Sequence, residues 1–161
     1  MTFLEKSYQL GSFNQKQNAT WEFVTGGETV DNWTTLLTLI DRPDARTIKD
    51  LDRLAEGVTS TYRSHNGRIL MAKTMRDKSG TPFNYMVAAF EEADKNRFEL
   101  NFVKFGMGSK NAYILVYGAR ASGPDYKTKG KEFLNQHSEE IGRGLENMIP
   151  PDPATLPRKE F

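Results

Sequence analysis

The sequence contains no cysteine, which excludes a disulfide framework, a thiol nucleophile and any thiolate-bound metal. Histidine is nearly absent too, with only His65 and His137. No His-x-x-x-His pair, no His-Glu-x-x-His and no Asp-rich calcium loop occurs, so neither a metal site nor a cofactor is expected. Excess charge is missing as well: 22 Lys+Arg against 21 Asp+Glu leave a formal charge of +1. That balance excludes a strongly basic nucleic-acid binder and an acidic tail protein. No apolar run approaches the roughly 18 residues of a membrane span. The first ten residues hold Leu4 and Leu10 but no apolar leader core, so no signal peptide is expected in this sequence.

What is present suits a globular domain. The 161 residues are 37% hydrophobic and include 10 Phe, 6 Tyr and 2 Trp, enough for a packed core without staples. Residues 1–149 read as one α+β domain. Pro150, Pro151, Pro153 and Pro157 then break any helix, so residues 150–161 are expected to form an extended proline-rich tail. Its last residues, 158–161, are expected to be mobile or laid on the surface.

Two segments have helical periodicity. Ile48, Leu51, Leu54, Ala55, Val58 and Tyr62 form one stripe, opened by a Thr47/Asp50 capping box and stopped by Asn66-Gly67. The second begins near Pro124-Asp125 and carries Phe133, Leu134, His137, Ile141, Leu145 and Met148 on one face, ending before Pro150. The remaining periodic segments are strands. They are Ser7 to Phe13, Thr20 to Val24, Thr34 to Ile40, Arg68 to Arg76, Phe83 to Phe90, a strand holding Phe98, Leu100 and Phe102, and Ala112 to Gly118. In the fourth, Ile69, Met71 and Met75 share one face by simple alternation. The strand around Phe98–Phe102 alternates with Glu99 and Asn101, as a half-buried strand does. The order β-β-β-α-β-β-β-β-α predicts an antiparallel sheet of about six or seven strands with two amphipathic helices, in two layers.

Chemistry-bearing constellations are sparse. There is no Gly-x-Ser-x-Gly elbow, and Gly106-Met107-Gly108-Ser109-Lys110 lacks phosphate-loop spacing, so it reads as a hairpin turn. Glu91-Glu92 and Glu139-Glu140 read as solvated charge. No catalytic residue is nominated. A non-catalytic role is favoured, with the enzyme question open. Lys127, Lys129 and Lys131, beside Tyr126 at the start of the second helix, oppose the helix dipole and could form a small anion-binding corner. His65 suits a helix C-terminus, and His137 is expected half-buried on the apolar stripe.

The most individual stretch is Trp21-Glu22-Phe23-Val24-Thr25-Gly26-Gly27-Glu28-Thr29-Val30-Asp31-Asn32-Trp33-Thr34. Gly26-Gly27 permits a tight reversal, Glu28 and Asn32 can bond the freed backbone, and Trp33 can cover the sheet. The candidate binding residues are therefore Glu28, Asn32, Trp33, Lys127 and Lys129. Trp33 is open to two readings, a packing residue or an anchor for a partner. The segment resembles one in small uncharacterised bacterial envelope proteins, and the element order is similar to the PsbP/Mog1-like α/β/α sandwich. The first resemblance implies a periplasmic or lipid-anchored location with a leader removed, although composition alone leaves the cytoplasm open. The second implies a binding or assembly factor, its partner another protein. Two further classes fit the residues: a small-molecule carrier or enzyme with an apolar pocket between sheet and helices, suggested by six Met and many Phe, and an immunity or inhibitor protein.

Overall fold

In a computed structural model, residues 1–159 are described. Eight strands and two α-helices follow one another: β1 (Thr2–Phe3), β2 (Lys6–Asn14), β3 (Thr20–Thr25), β4 (Thr35–Arg42), α1 (Ile48–Ser64), β5 (Arg68–Arg76), β6 (Pro82–Glu92), β7 (Arg97–Met107), β8 (Ala112–Ser122) and α2 (Tyr126–Asn147). All strand pairs are antiparallel, in the spatial order β1-β2-β3-β4-β8-β7-β6-β5. The crossover through α1 therefore carries the chain from mid-sheet to the far edge, past three strands laid down later.

The sheet has one strand more than expected. The extra strand is β1, which returns into β2 through Leu4-Glu5, with Phe3 paired to Lys6. Both turn residues have positive φ, 47° and 64°. Such two-residue hairpins normally use Asn-Gly or Gly, so Leu-Glu gave no turn signal.

The two-layer expectation is also corrected, because the helices lie on opposite faces. Along β7, Leu100 and Phe102 join the cluster that includes Ile141 and Leu145 of α2, whereas Val103 and Phe105 join Leu51 and Leu54 of α1. Alternate residues of a strand point to opposite faces, so the molecule has three layers, α/β/α. With both faces covered, β7 is more than half-buried: Asn101 and Lys104 are buried along with their apolar neighbours. In β5 a bulge between Ile69 and Met71 adds one residue and switches the alternation. Ile69 thus packs in the α1 cluster and Met75 in the α2 cluster, where simple alternation had put them together.

Helix ends follow their residues closely. Thr47 accepts from the Asp50 N–H at 3.1 Å and Asp50 accepts from the Thr47 N–H at 3.0 Å, closing the capping box. Asn66 takes the left-handed conformation (φ 62°) and Gly67 donates back to the Tyr62 carbonyl at 2.8 Å. The end of α2 is held differently. Lys104, 4% exposed, donates from Nζ to the carbonyls of Leu145, Glu146 and Met148 at 2.9, 3.3 and 3.0 Å. A cation at a helix C-terminus meets the negative end of the dipole and satisfies carbonyls that have no helical partner.

The segment after α2 lies against the same face. A single 3-10 turn at Pro153–Thr155 is capped by Asp152, Leu156 packs against the core, and the Pro157 carbonyl accepts from Trp21 Nε1 at 2.7 Å. Arg158 sits 5.7 Å from the Trp21 ring centre. Residues 160 and 161, the last of the expected surface tail, lie outside the described residues.

Two outcomes follow from this packing. Ile141 is 1% exposed under α2, so Ile141→Asp should lower unfolding free energy by several kcal/mol, read from urea denaturation, because an unpaired carboxylate enters the core. Burial pushes the Tyr62, Tyr85 and Tyr113 phenols up to about 12, and Glu99 and Asp77 add to this at Tyr62 and Tyr113. Their folded values exceed the unfolded value of about 10, so their contribution is full below pH 10 and is lost as pH rises toward 12. Phenolate absorbance should appear together with unfolding in that window; phenolate titrating near pH 10 in a folded chain would contradict it.

Candidate functional site

The loop between β3 and β4 is built as its residues suggest. The Glu28 N–H donates to the Thr25 carbonyl at 3.1 Å, closing a reversal in which Gly27 has φ 84°, a conformation glycine adopts without steric cost. Glu28 accepts from the Thr34 N–H at 2.8 Å and from the hydroxyls of Thr34 and Thr25 at 2.5 and 2.7 Å. Partial burial pushes its carboxyl up, but these bonds together outweigh burial and hold it below the usual range. Glu28 is therefore the post on which the loop hangs. Asn32 contributes through its backbone, exchanging hydrogen bonds with Thr29 at 3.1 Å in both directions, while its side chain stays exposed.

Trp33 ends this loop and turns inward. It is 7% exposed and packs with Val24, Val30 and Leu36. The Arg120 guanidinium lies 3.6 Å from its ring centre, a stacking cation–π contact. Arg120 is held in turn by Glu99, Nε to Oε2 at 3.1 Å. Of the two readings of Trp33, the partner anchor needs an exposed ring. The buried ring has the packing role.

Packing here leaves a space. β4 begins at Thr35, opposite Ala119, and one further bond, Arg120 N–H to the Thr34 carbonyl at 2.9 Å, ends the pairing. Beyond it, Ala121 and Ser122 have no neighbour on that side. A cavity of about 460 Å³ opens there, between the end of β8, the rim of the loop and the first turns of α2. Phe98, Leu100, Ala119, Ala121 and Phe133 give it an apolar wall, and Trp33 borders it at the end of the loop. Asn32, Thr34, Ser122 and Lys129 supply polar groups, while Arg120, also at the rim, turns its guanidinium to the other face, onto Trp33 and Glu99. Among the described residues, the lining includes the cation Lys129 but no carboxylate and no imidazole.

The α2 side depends on Gly130. A Cβ there would come within 2.3 Å of Phe98 Cδ1, so any larger residue would drive the helix off the sheet. Lys129 sits at the mouth, half-exposed, 2.9 Å from Asp125. Lys127, one of the same expected corner, points elsewhere. It pairs with Glu91 at 2.6 Å, and the Tyr126 hydroxyl donates to the same carboxylate oxygen at 2.8 Å. Bonds from Lys127 and Tyr126 hold the Glu91 carboxyl below its usual range. This cluster ties α2 to β6.

Of the five candidate residues, Asn32, Trp33 and Lys129 meet at one cavity, Glu28 supports the loop behind them, and Lys127 lies apart. Arg120, Phe98, Ala121 and Phe133 were not singled out by sequence. They come from three elements, and only the sheet order joins them. His65 bonds the Thr61 carbonyl through Nδ1 at 2.8 Å, as a helix-end residue does. The His137 ring lies 4.8 Å from Phe133 and 3.6 Å from Glu140, with 43% of its side chain exposed. Among the described residues, no group of His, Asp and Glu is arranged to hold a metal, and neither helix is long and apolar enough to cross a membrane.

Truncating Trp33→Ala should cost about 3–5 kcal/mol of unfolding free energy, measured in urea. Gly118→Ala should be destabilising for the opposite reason, crowding, since its Cβ would come 3.0 Å from Trp33 Cη2 and 3.3 Å from Asn101 Oδ1. A Trp33→Ala variant as stable as the parent would show that the ring is not part of the core.

No protein-family model matches the chain, and no curated protein matches it.

Proposed function

We propose that this chain is a non-catalytic binding protein whose cavity beside Trp33 takes a small planar or aromatic acid. The observation that carries this reading is the lining: apolar and aromatic walls with Lys129 as the cation at the mouth and, among the described residues, no carboxylate. A volume of about 460 Å³ lies within the range of small-molecule sites, roughly 300–1,000 Å³. Aromatic walls favour a flat ligand through offset and edge contacts, and a cation at the mouth favours an anionic end. Among the described residues, the lining offers donors and a cation but no general base, which suits holding a ligand and not transforming it. Service in the bacterial envelope is supported by the resemblance of the Trp21–Thr34 segment, and a role in a secretion or assembly complex by the likeness of the element order to the PsbP/Mog1-like sandwich.

Isothermal titration calorimetry with naphthoate, set against uncharged naphthamide, tests the reading. Naphthoate should bind the parent more tightly. Lys129→Glu should weaken naphthoate about tenfold, ~1.4 kcal/mol, and leave naphthamide nearly unchanged. Ala121→Leu should abolish binding of both by filling the wall. Binding indifferent to Ala121→Leu would place the ligand elsewhere, and no binding of either compound would overturn the proposal.

A further inference from the structure

The sheet ends at β5, a nine-residue strand exposed along almost its whole length, with Leu70 and Met71 42% and 45% exposed. Among the described residues no strand follows it, so its outer row of N–H and C=O groups has no partner in the sheet. The other edge is treated differently. There, β1 is two residues long and the Met1 amino group and carbonyl bond Tyr8 at 2.8 and 2.7 Å, and beyond Tyr8 a bulge between Leu10 and Ser12 interrupts the open part of β2. A long open edge is a template for another strand, and charge on it is the usual guard against indiscriminate pairing.

The guard on β5 has one sign. Arg68, Lys73 and Arg76 are its only charged residues, and none forms an ion pair among the described residues. Paired with its own copy over the full strand, β5 would set Arg68 against Arg76 at both ends and gather six cations, which is destabilising. The same charges attract an acidic strand. We propose that the β5 edge accepts an extended acidic segment of another protein as a ninth antiparallel strand.

The two faces of β5 refine the occupant. The bulge puts Met71 and Lys73 on the α2 side, paired to Val87 and Tyr85, and Ala72 and Thr74 on the α1 side, paired to Met86 and Asn84. On the α1 side runs a groove of about 700 Å³ whose α1 wall includes Asp52, Glu56, Thr59 and Arg63. Asp52 accepts from Asn84 at 2.8 Å. With Arg63 beside the two carboxylates the groove carries no excess of one sign, and small hydroxyl or apolar side chains fit beside Ala72 and Thr74. Acids belong on the other side, opposite Lys73. The expected segment alternates acidic residues with small β-formers such as threonine.

A synthetic hexapeptide alternating glutamate with threonine tests this, by fluorescence anisotropy and by amide hydrogen exchange of the whole chain. Saturable binding is expected, with slowed exchange confined to β5. N-methylation of alternate peptide amides, which keeps the charge and blocks pairing, should weaken binding at least tenfold. Lys73→Glu lies on the exposed edge; circular dichroism checks that it folds. It should weaken the glutamate peptide at least tenfold and admit the lysine–threonine counterpart. Equal binding of the N-methylated peptide would reduce the edge to a charge patch and overturn the proposal, as would no binding. Sedimentation showing a dimer with protected β5 amides would assign the edge to a second copy instead.

Discussion

The central strands β7 and β8 are buried on both faces, and much of the molecule follows from that. A two-faced strand cannot leave a polar side chain to solvent, so every polar residue there needs a partner built elsewhere. Lys104 is the demanding case. Desolvation pushes its ammonium below the usual lysine range, with Asp77 and Glu146 working the other way, and it remains only because three carbonyls at the end of α2 converge on it. The Phe83 ring, 4.8 Å away, adds a cation–π contact. One buried amine thus fixes the end of α2 on the sheet. Gly130 and Phe98 fix its beginning.

Both helices were legible in the sequence because their stripes and stop signals are local. The Thr47/Asp50 box and the Asn66 stop appear where their residues place them. Seven of eight strands were legible as well. The misses have definite causes. β1 turns on Leu4-Glu5, residues without turn propensity. The bulge at Leu70 leaves no compositional mark, so the faces of β5 came out mixed. Glu99 and Asn101 in β7 look like the wet face of a half-buried strand, yet Glu99 answers Arg120 and Asn101 lies beneath the Trp33 contact. Periodicity reports polarity, not what has been built to meet it.

The candidate site was legible only in part. The loop Gly26–Trp33 announces itself through its glycine pair and its tryptophan, and Lys129 through its place in a first turn without acids. Nothing in the sequence connects them. Their meeting requires β4 to lie beside β8, a neighbour separated from it by α1 and three strands. Trp33 shows the consequence. Its rarity marks it as important, but a packing ring and a partner anchor have the same one-letter code. Burial decides between them, and burial is a property of the assembled sheet.

The cavity and the β5 edge share a physical origin. Backbone N–H and C=O groups removed from water must be paired, so a sheet is chemically open only where a neighbouring strand starts late or is missing. β8 runs past the start of β4, leaving Ala121 and Ser122 beside a space that small side chains keep from closing. Among the described residues β5 has no outer neighbour at all. The layers α1 and α2 and the segment through Pro157 cover the faces of the sheet, and a bulge interrupts the open outer part of β2. The two openings differ in what surrounds them: aromatic walls and a cation at the first, a cationic strand beside a groove of mixed charge at the second. Two strands, β6 and β7, separate β5 from β8. A ligand in the cavity and a strand on the edge would therefore occupy different surfaces of one sheet, each selected by the side chains around an unpaired stretch of backbone.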